Sequence, residues 1–290
     1  MSYLSVSAPA KINLYLAVRG RRPDGYHEIE TWMQKIDLMD TLHLRERESG
    51  ITLACPGSEL PVDSSNLAFR AAKAFFRHTG IGKGVEIVLE KRIPVAAGLG
   101  GGSSDAAAVL CGLEKLFQIK LEAESMRGIA LTLGADVPFF TSKYSAVWAT
   151  GIGDILHDVS PLEHLWILLV NPGVKVPTKW VYENFALTTK GNPYILGREQ
   201  IHGNLLDFSL RDGKSLLFND LESVTISRYP DIEVIKQKMV VNGARVALMS
   251  GSGPTVFGLF DNRDDVMNSF HLFQQQYGNV FLATPMVCDK

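Results

Sequence analysis

The segment Pro94-Val95-Ala96-Ala97-Gly98-Leu99-Gly100-Gly101-Gly102-Ser103-Ser104 carries the strongest chemical signal in the sequence. It lies between an alternating strand pattern, Val85, Ile87 and Leu89, and an alanine-rich helical run from Ala106 to Leu113. A strand that turns through glycine into a helix start leaves several amides unpaired, and the helix dipole favours negative charge beside them. The natural occupant is a polyphosphate, which points to nucleotide chemistry. Two ionisable residues could act on such a ligand: Asp136, in Gly134-Ala135-Asp136-Val137-Pro138, and Lys11, in Pro9-Ala10-Lys11-Ile12-Asn13-Leu14. A carboxylate near a γ-phosphate can accept a hydroxyl proton, and an ammonium can hold the base, the alkoxide or the phosphate. Each also has a plainer reading. Asp136 could form an Asx turn before Pro138, and Lys11 with Asn13 could line the wet face of a strand.

Two further turns belong with these. Arg22-Pro23-Asp24-Gly25-Tyr26-His27 presents a ring and an imidazole together, a pair able to stack on and hydrogen-bond a base, or simply to be solvated. Ser250-Gly251-Ser252-Gly253-Pro254-Thr255 is a second glycine turn, either an ordinary connection or a wall of the same site. Several familiar chemistries are excluded. No lysine follows the glycines as in GxxxxGK[ST], and Ser103 stands where GxGxxG needs its third glycine. No GxSxG elbow occurs, and His27-Glu28 has no second histidine four residues on.

The elements that must position these residues follow from local patterns. Ser5 to Val18 reads as strand interrupted at Pro9, with further strands at Thr41 to Leu44 and Ile51 to Ala54. Ser64-Ser65-Asn66 supplies N-caps for a helix ending at Gly80, with an apolar face of Leu67, Ala71, Ala74 and Phe75. A helix over Glu122 to Leu133 should stop at Gly134. Beyond the loose interval Gly151 to Pro161, a strand at Leu165 to Val170 opens a new pattern. Two strands then flank Ser250 to Gly253, and a helix near Asp264 to Tyr277 precedes a last strand, Val280 to Pro285. This order is α+β rather than doubly wound.

With 290 residues the chain is long enough for two cores. A formal charge of -2, with basic residues scattered, gives no electrostatic case for nucleic acid or an anionic membrane as partner. Cys55, Cys111 and Cys288 form no CxxC pair, and the start MSYLSVSAPAKINL has no signal-peptide character. A cytoplasmic location is the expectation.

Taken together, Pro9 to Leu14, Pro94 to Ser104 and Ser250 to Thr255 resemble the three motifs of the GHMP kinase superfamily, in the family order and across nearly the whole chain. Arg22 to His27 and Gly134 to Pro138 narrow the resemblance to the branch acting on a cytidine diphosphate-linked methylerythritol in non-mevalonate isoprenoid synthesis. The resemblance implies a two-domain α+β fold. Residues 1–160 would form an ATP-binding domain like the second domain of ribosomal protein S5, and residues 161–290 a ferredoxin-like domain. It implies ATP at Pro94 to Ser104, with Asn66 and Lys91 near the nucleotide; Mg²⁺ arriving with ATP would cover the remaining phosphate charge, with Ser104 as its ligand directly or through water. It implies Lys11 and Asp136 as catalytic residues, Asp136 being the base that activates the 2-hydroxyl. Asn13, Tyr26 and His27 would face the small-molecule substrate, and Thr178 in Val176-Pro177-Thr178 would close its pocket. The expected assembly is a monomer or weak homodimer. Rival readings are a sibling kinase with a mevalonate- or homoserine-like acceptor, and a silent nucleotide-binding regulator, since fold alone does not establish activity.

Overall fold

A computed structural model of the chain describes residues 2–186 and 217–287. In chain order its first elements are β1 (Tyr3–Arg21), β2 (His27–Arg47), β3 (Ile51–Ala54), α1 (Leu67–Thr79), β4 (Gly84–Glu90), α2 (Gly101–Phe117) and α3 (Ala123–Leu133). There follow α4 (Val137–Thr141), β5 (Ala146–Thr150), β6 (Ile155–Asp158), β7 (Trp166–Asn171), α5 (Thr178–Asn184) and β8 (Phe218–Asn219). The last are α6 (Glu222–Arg228), α7 (Asp231–Val241), β9 (Val246–Met249), β10 (Val256–Phe260), α8 (Arg263–Gln274) and β11 (Asn279–Ala283). The chain divides into two compact units, 1–10 with 39–93 and 100–143, and 11–38 with 94–99 and 144–290.

In the first unit β4 runs antiparallel to the end of β2, from Thr41 opposite Glu90 to Arg47 opposite Gly84, and parallel to β3. Leu42, Leu44, Val85, Ile87 and Leu89 are fully buried at alternate positions, so the period of two places one apolar face inward. Helix α1 packs against β3, and α1 to α4 pack on one another. Phe75, Phe76 and Phe117 form an aromatic cluster between α1 and α2, with ring centroids 5.6–6.4 Å apart. Asn66 caps α1 by accepting from Ala68 N, and Gly80 ends the helix in the left-handed conformation. The buried stripe of α1 is Ala68, Ala71, Ala72 and Phe75, turned from the expected one because α1 packs on α2 and α3 as well as β3.

In the second unit β7, β9, β10 and β11 form an antiparallel sheet in the order β11-β7-β10-β9. Helices separate β7 from β9 and β10 from β11, which is the ferredoxin-like arrangement. Leu168, Val170, Met249, Val256 and Phe260 of the sheet pack with Ile232, Ile235 and Met239 of α7 and with Val266 and Phe273 of α8. The start of β2 pairs with β5, and β8 lies parallel to β1 at Tyr15 and Leu16.

Three local expectations are corrected. β1 is continuous through Pro9, so the proline does not interrupt the strand. α2 begins at Gly101, five residues before its alanine run, so two glycines and both serines lie in its first turn and a half. The strand from Lys11 to Val18 has no wet face, because every residue there is buried. Cys55 and Cys111 form no disulfide among the described residues, and Cys288 lies outside them.

Asn66→Ala should lower stability by about 1 kcal/mol through loss of the α1 cap, measured by urea unfolding. An unchanged midpoint would mean that the α1 start is held by other contacts.

Candidate active site

The glycine segment is held from behind by three consecutive carbonyls. Ala97 O accepts from Thr255 N at 3.3 Å, Gly98 O from Ser250 Oγ at 2.9 Å and Leu99 O from Lys11 N at 3.0 Å. At Gly98 φ is +77°, and a Cβ there would stand 2.0 Å from Ser250 O. Backbone meets backbone at that point, so no side chain could be admitted. Further on, Gly100 caps α2 with φ of 70°, and its carbonyl takes the first helical bond, from Ser104 N at 2.9 Å. The amides of Gly101, Gly102 and Ser103 therefore open the helix with no acceptor inside it. With its carbonyls engaged and its helical amides open, the segment presents donors to a ligand. Ser104 Oγ is buried and without a hydrogen-bond partner, as is Asp105 Oδ1.

Lys11 and Asn13 are both buried at 4% and 3% exposure, so their polar atoms need defined partners. The Lys11 ammonium donates to Asn13 Oδ1 at 2.5 Å. Asn13 Nδ2 donates to Thr31 Oγ1 at 2.8 Å, and that hydroxyl donates to Tyr15 O at 2.7 Å. Thr31 thereby fixes which end of the amide faces the lysine. Gly251 passes close by. A Cβ on it would lie 3.3 Å from Asn13 Oδ1 and 3.4 Å from Lys11 Nζ, at φ of +56°.

In the first unit Lys91 joins two carboxylates, Asp40 and, at 2.8 Å, Asp105. The free oxygen of Asp40 accepts from Arg92 N at 2.6 Å and Ile93 N at 2.9 Å, so this carboxylate also shapes the turn after β4. Lys91 Nζ would lie 3.3 Å from a Cβ on Gly101, close under the start of α2. Asn66, besides its cap, donates to Pro61 O at 2.9 Å. Asp136 is half-buried at the head of α4, where its side chain makes no capping bond. Pro138 offers no N–H to it, which removes the Asx-turn alternative.

Around the Arg22–Tyr26 turn, Tyr26 is 59% exposed while His27 is half-buried against Tyr182 of α5, centroids 5.2 Å apart. Burial first, then the Arg21 charge, holds the His27 imidazolium below its ordinary range, so the ring is neutral at neutral pH. Thr178 Oγ1 shares a hydrogen bond of 2.9 Å with Ser252 Oγ in the second glycine turn. That turn also reaches the glycine segment, through Ser250 Oγ to Gly98 O, so it is more than a bare connection. Thr31, Tyr182 and Ser250 were not singled out individually from sequence: no short-range pattern reports contacts across 18, 155 or 152 positions.

Comparisons with known proteins bear on the same residues. The GHMP kinases N-terminal domain matches residues 66–144, and the GHMP kinases C-terminal family matches residues 200–269. The chain is 49% identical over 261 residues, 90% of each chain, to a protein of Syntrophotalea carbinolica named 4-diphosphocytidyl-2-C-methyl-D-erythritol kinase. It is 35% identical to a crystal structure of 4-(cytidine 5'-diphospho)-2C-methyl-D-erythritol kinase, with a TM-score of 0.81 over 98% of this chain and 100% of that one. A homoserine kinase structure from Cytophaga hutchinsonii shares the fold, with a TM-score of 0.71 at 18% identity over 98% of this chain and 95% of its own.

Burial pushes the Asp105 carboxyl up to about 7, against the opposing pull of Lys91. A folded-state value above the unfolded one, about 3.9, makes the protonated form the stabilising one. That contribution is complete below about pH 4 and is lost as pH rises through about 7. Asp105→Asn should therefore lose less Tm than wild type between about pH 5 and 8. Equal slopes for the two proteins would show that Asp105 is ionised throughout.

Proposed function

We infer the chemistry from one premise: the chain belongs to the 4-diphosphocytidyl-2-C-methyl-D-erythritol kinase family, a branch of the GHMP kinases. It is an ATP-dependent small-molecule kinase that phosphorylates the 2-hydroxyl of 4-diphosphocytidyl-2-C-methyl-D-erythritol, giving the 2-phosphate and ADP, in non-mevalonate isoprenoid synthesis. The observation that carries a phosphoryl-transfer reading at the level of residues is the braced glycine segment, with Ala97, Gly98 and Leu99 carbonyls all engaged from behind.

In our reading Pro94 to Ser104 bind the triphosphate through backbone amides, with the open amides of Gly101, Gly102 and Ser103 nearest the charge. Phosphoryl transfer asks the protein for alignment and charge neutralisation more than for covalent chemistry. The orphaned hydroxyl of Ser104 fits a ligand to phosphate or to Mg²⁺. The ion, carried in with the nucleotide, would neutralise phosphate charge during transfer. Lys91, held by Asp40 and Asp105, and Asn66, held at the α1 cap, act from the nucleotide side chiefly by keeping the start of α2 and the cap of α1 in place.

Asp136 is the base. It accepts the 2-hydroxyl proton as that oxygen bonds to the γ-phosphorus and the bond to the bridging oxygen of ADP breaks. Lys11, aimed by Asn13, holds the developing alkoxide and phosphate charge. A neutral His27 has one N–H and one lone pair to offer a cytosine edge, and Tyr26 and Thr178 complete the recognition of the cytidyl substrate. A mevalonate- or homoserine-like acceptor would leave these groups unused.

Incubated with Mg-ATP and a panel of alcohol acceptors, the protein should release ADP strongly only with the cytidyl-methylerythritol. His27→Ala should raise KM for that acceptor by about 10-fold or more while KM for ATP stays within about 3-fold. Equal effects on both constants would remove His27 from the cytosine. Asp136→Asn should keep nucleotide affinity and lose roughly 100-fold or more in kcat; a preserved kcat would rule out the base.

A further inference from the structure

Ser250 braces the glycine segment, so whatever aims Ser250 also aims Gly98. Its hydroxyl donates to Gly98 O at 2.9 Å and accepts from Asn13 N at 3.3 Å, which links the glycine segment to the Lys11 strand. The turn closes on itself through Ser250 N to Thr255 O and Gly253 N to Ser250 O, each 2.9 Å. The carbonyls of the two residues on either side of Ser250 are fixed from elsewhere, by a single side chain. Asn219 Nδ2 donates one hydrogen to Met249 O at 2.7 Å and the other to Gly251 O at 2.8 Å. Its Oδ1 accepts from Leu221 N at 3.0 Å.

The backbone of Asn219 is equally constrained. As half of β8 it pairs with Leu16 of β1, the strand that carries Lys11 and Asn13. Its neighbour Asp220 fastens that pairing twice, by Asp220 N to Leu16 O at 2.9 Å and Val18 N to Asp220 Oδ2 at 2.7 Å. One turn on, Glu222 accepts from Met249 N at 2.7 Å while paired with Lys236 at 2.6 Å. The buried amide thus has its oxygen held at the head of α6 and its nitrogen clipped across the turn, on a backbone paired to β1. No other uncharged side chain of its size brings two donors and an acceptor to that spot. Removing them leaves two buried carbonyls unpaired and free to turn their peptide planes, carrying Ser250 Oγ with them.

We propose that Asn219 is a positioning residue for the phosphoryl transfer, acting through Ser250 on the Gly98 carbonyl and the Asn13 amide. The proposal rests on the kinase reading above. Misplacement of a reacting group by about 1 Å can cost on the order of 100-fold in rate, so the effect belongs in kcat and not only in stability.

The test is a double-mutant cycle in the full chain. Asn219→Ala, Ser250→Ala and the double variant are assayed with Mg-ATP and the cytidyl-methylerythritol acceptor, well below each Tm. Each single variant should lose roughly 10- to 100-fold in kcat, and the double should lose no more than the weaker single, because both changes release one contact. If Asn219→Ala does not fold, Asn219→Ser, which keeps one donor, replaces it in the same cycle. Losses that multiply, a kcat within about 3-fold of wild type, or failure of both Asn219 variants to fold would overturn the proposal and leave Asn219 a stabilising residue. A wild-type protein that ignores the cytidyl acceptor would remove the kinase reading and this proposal together. Active wild type with unimpaired variants removes the proposal alone.

Discussion

A backbone packed against a backbone governs the site. Gly98 and Ser250 approach so closely that an added Cβ would fall 2.0 Å from a carbonyl oxygen, and neither segment could take its path alone. Carbonyls of a glycine segment need acceptor duty somewhere, or the segment rearranges to find it. Here Thr255 N, Ser250 Oγ and Lys11 N occupy three in succession. A segment that would otherwise sample many conformations is thereby held in one, before any ligand arrives. Preorganisation of this kind is what a phosphoryl-transfer enzyme requires, because the protein contributes alignment and fixed dipoles rather than bonds.

Lys91 and Lys11 are each held by hydrogen bonds within their own unit. Lys91 is shared between Asp40 and Asp105, and the fixed oxygen of Asp40 carries that arrangement into the backbone of Arg92 and Ile93. Burial drives the Asp105 carboxyl upward, and the neighbouring Asp40 charge adds to it against the pull of Lys91. Lys11 donates to a neutral amide, itself turned by Thr31 and the Tyr15 carbonyl, so its direction is fixed through a chain of hydrogen bonds.

Local patterns made much of the chain legible. The caps at Asn66 and Gly80, the stop at Gly134 and the strands around Ser250 to Gly253 depend on neighbours within a few positions, and each appears close to where its residues indicate. The departures run against local propensity: Pro9 sits inside β1, and α2 starts at Gly101 although Gly101 and Gly102 have poor helix propensity.

Sequence alone determined that the chain is α+β, that a glycine segment enters a helix, and which motifs ally it with the GHMP kinases, since spacing and residue type suffice for these. Tertiary structure decided that Lys11 and Asn13 are buried, that Ser250 holds Gly98, that Thr31 bonds the Asn13 amide, that Tyr182 packs on His27 and that Asn219 clips the Ser250 turn. The reason is range: a hydrogen bond between Ser250 and Gly98 spans 152 positions, and no periodicity in a linear chain encodes which distant carbonyl a hydroxyl will meet.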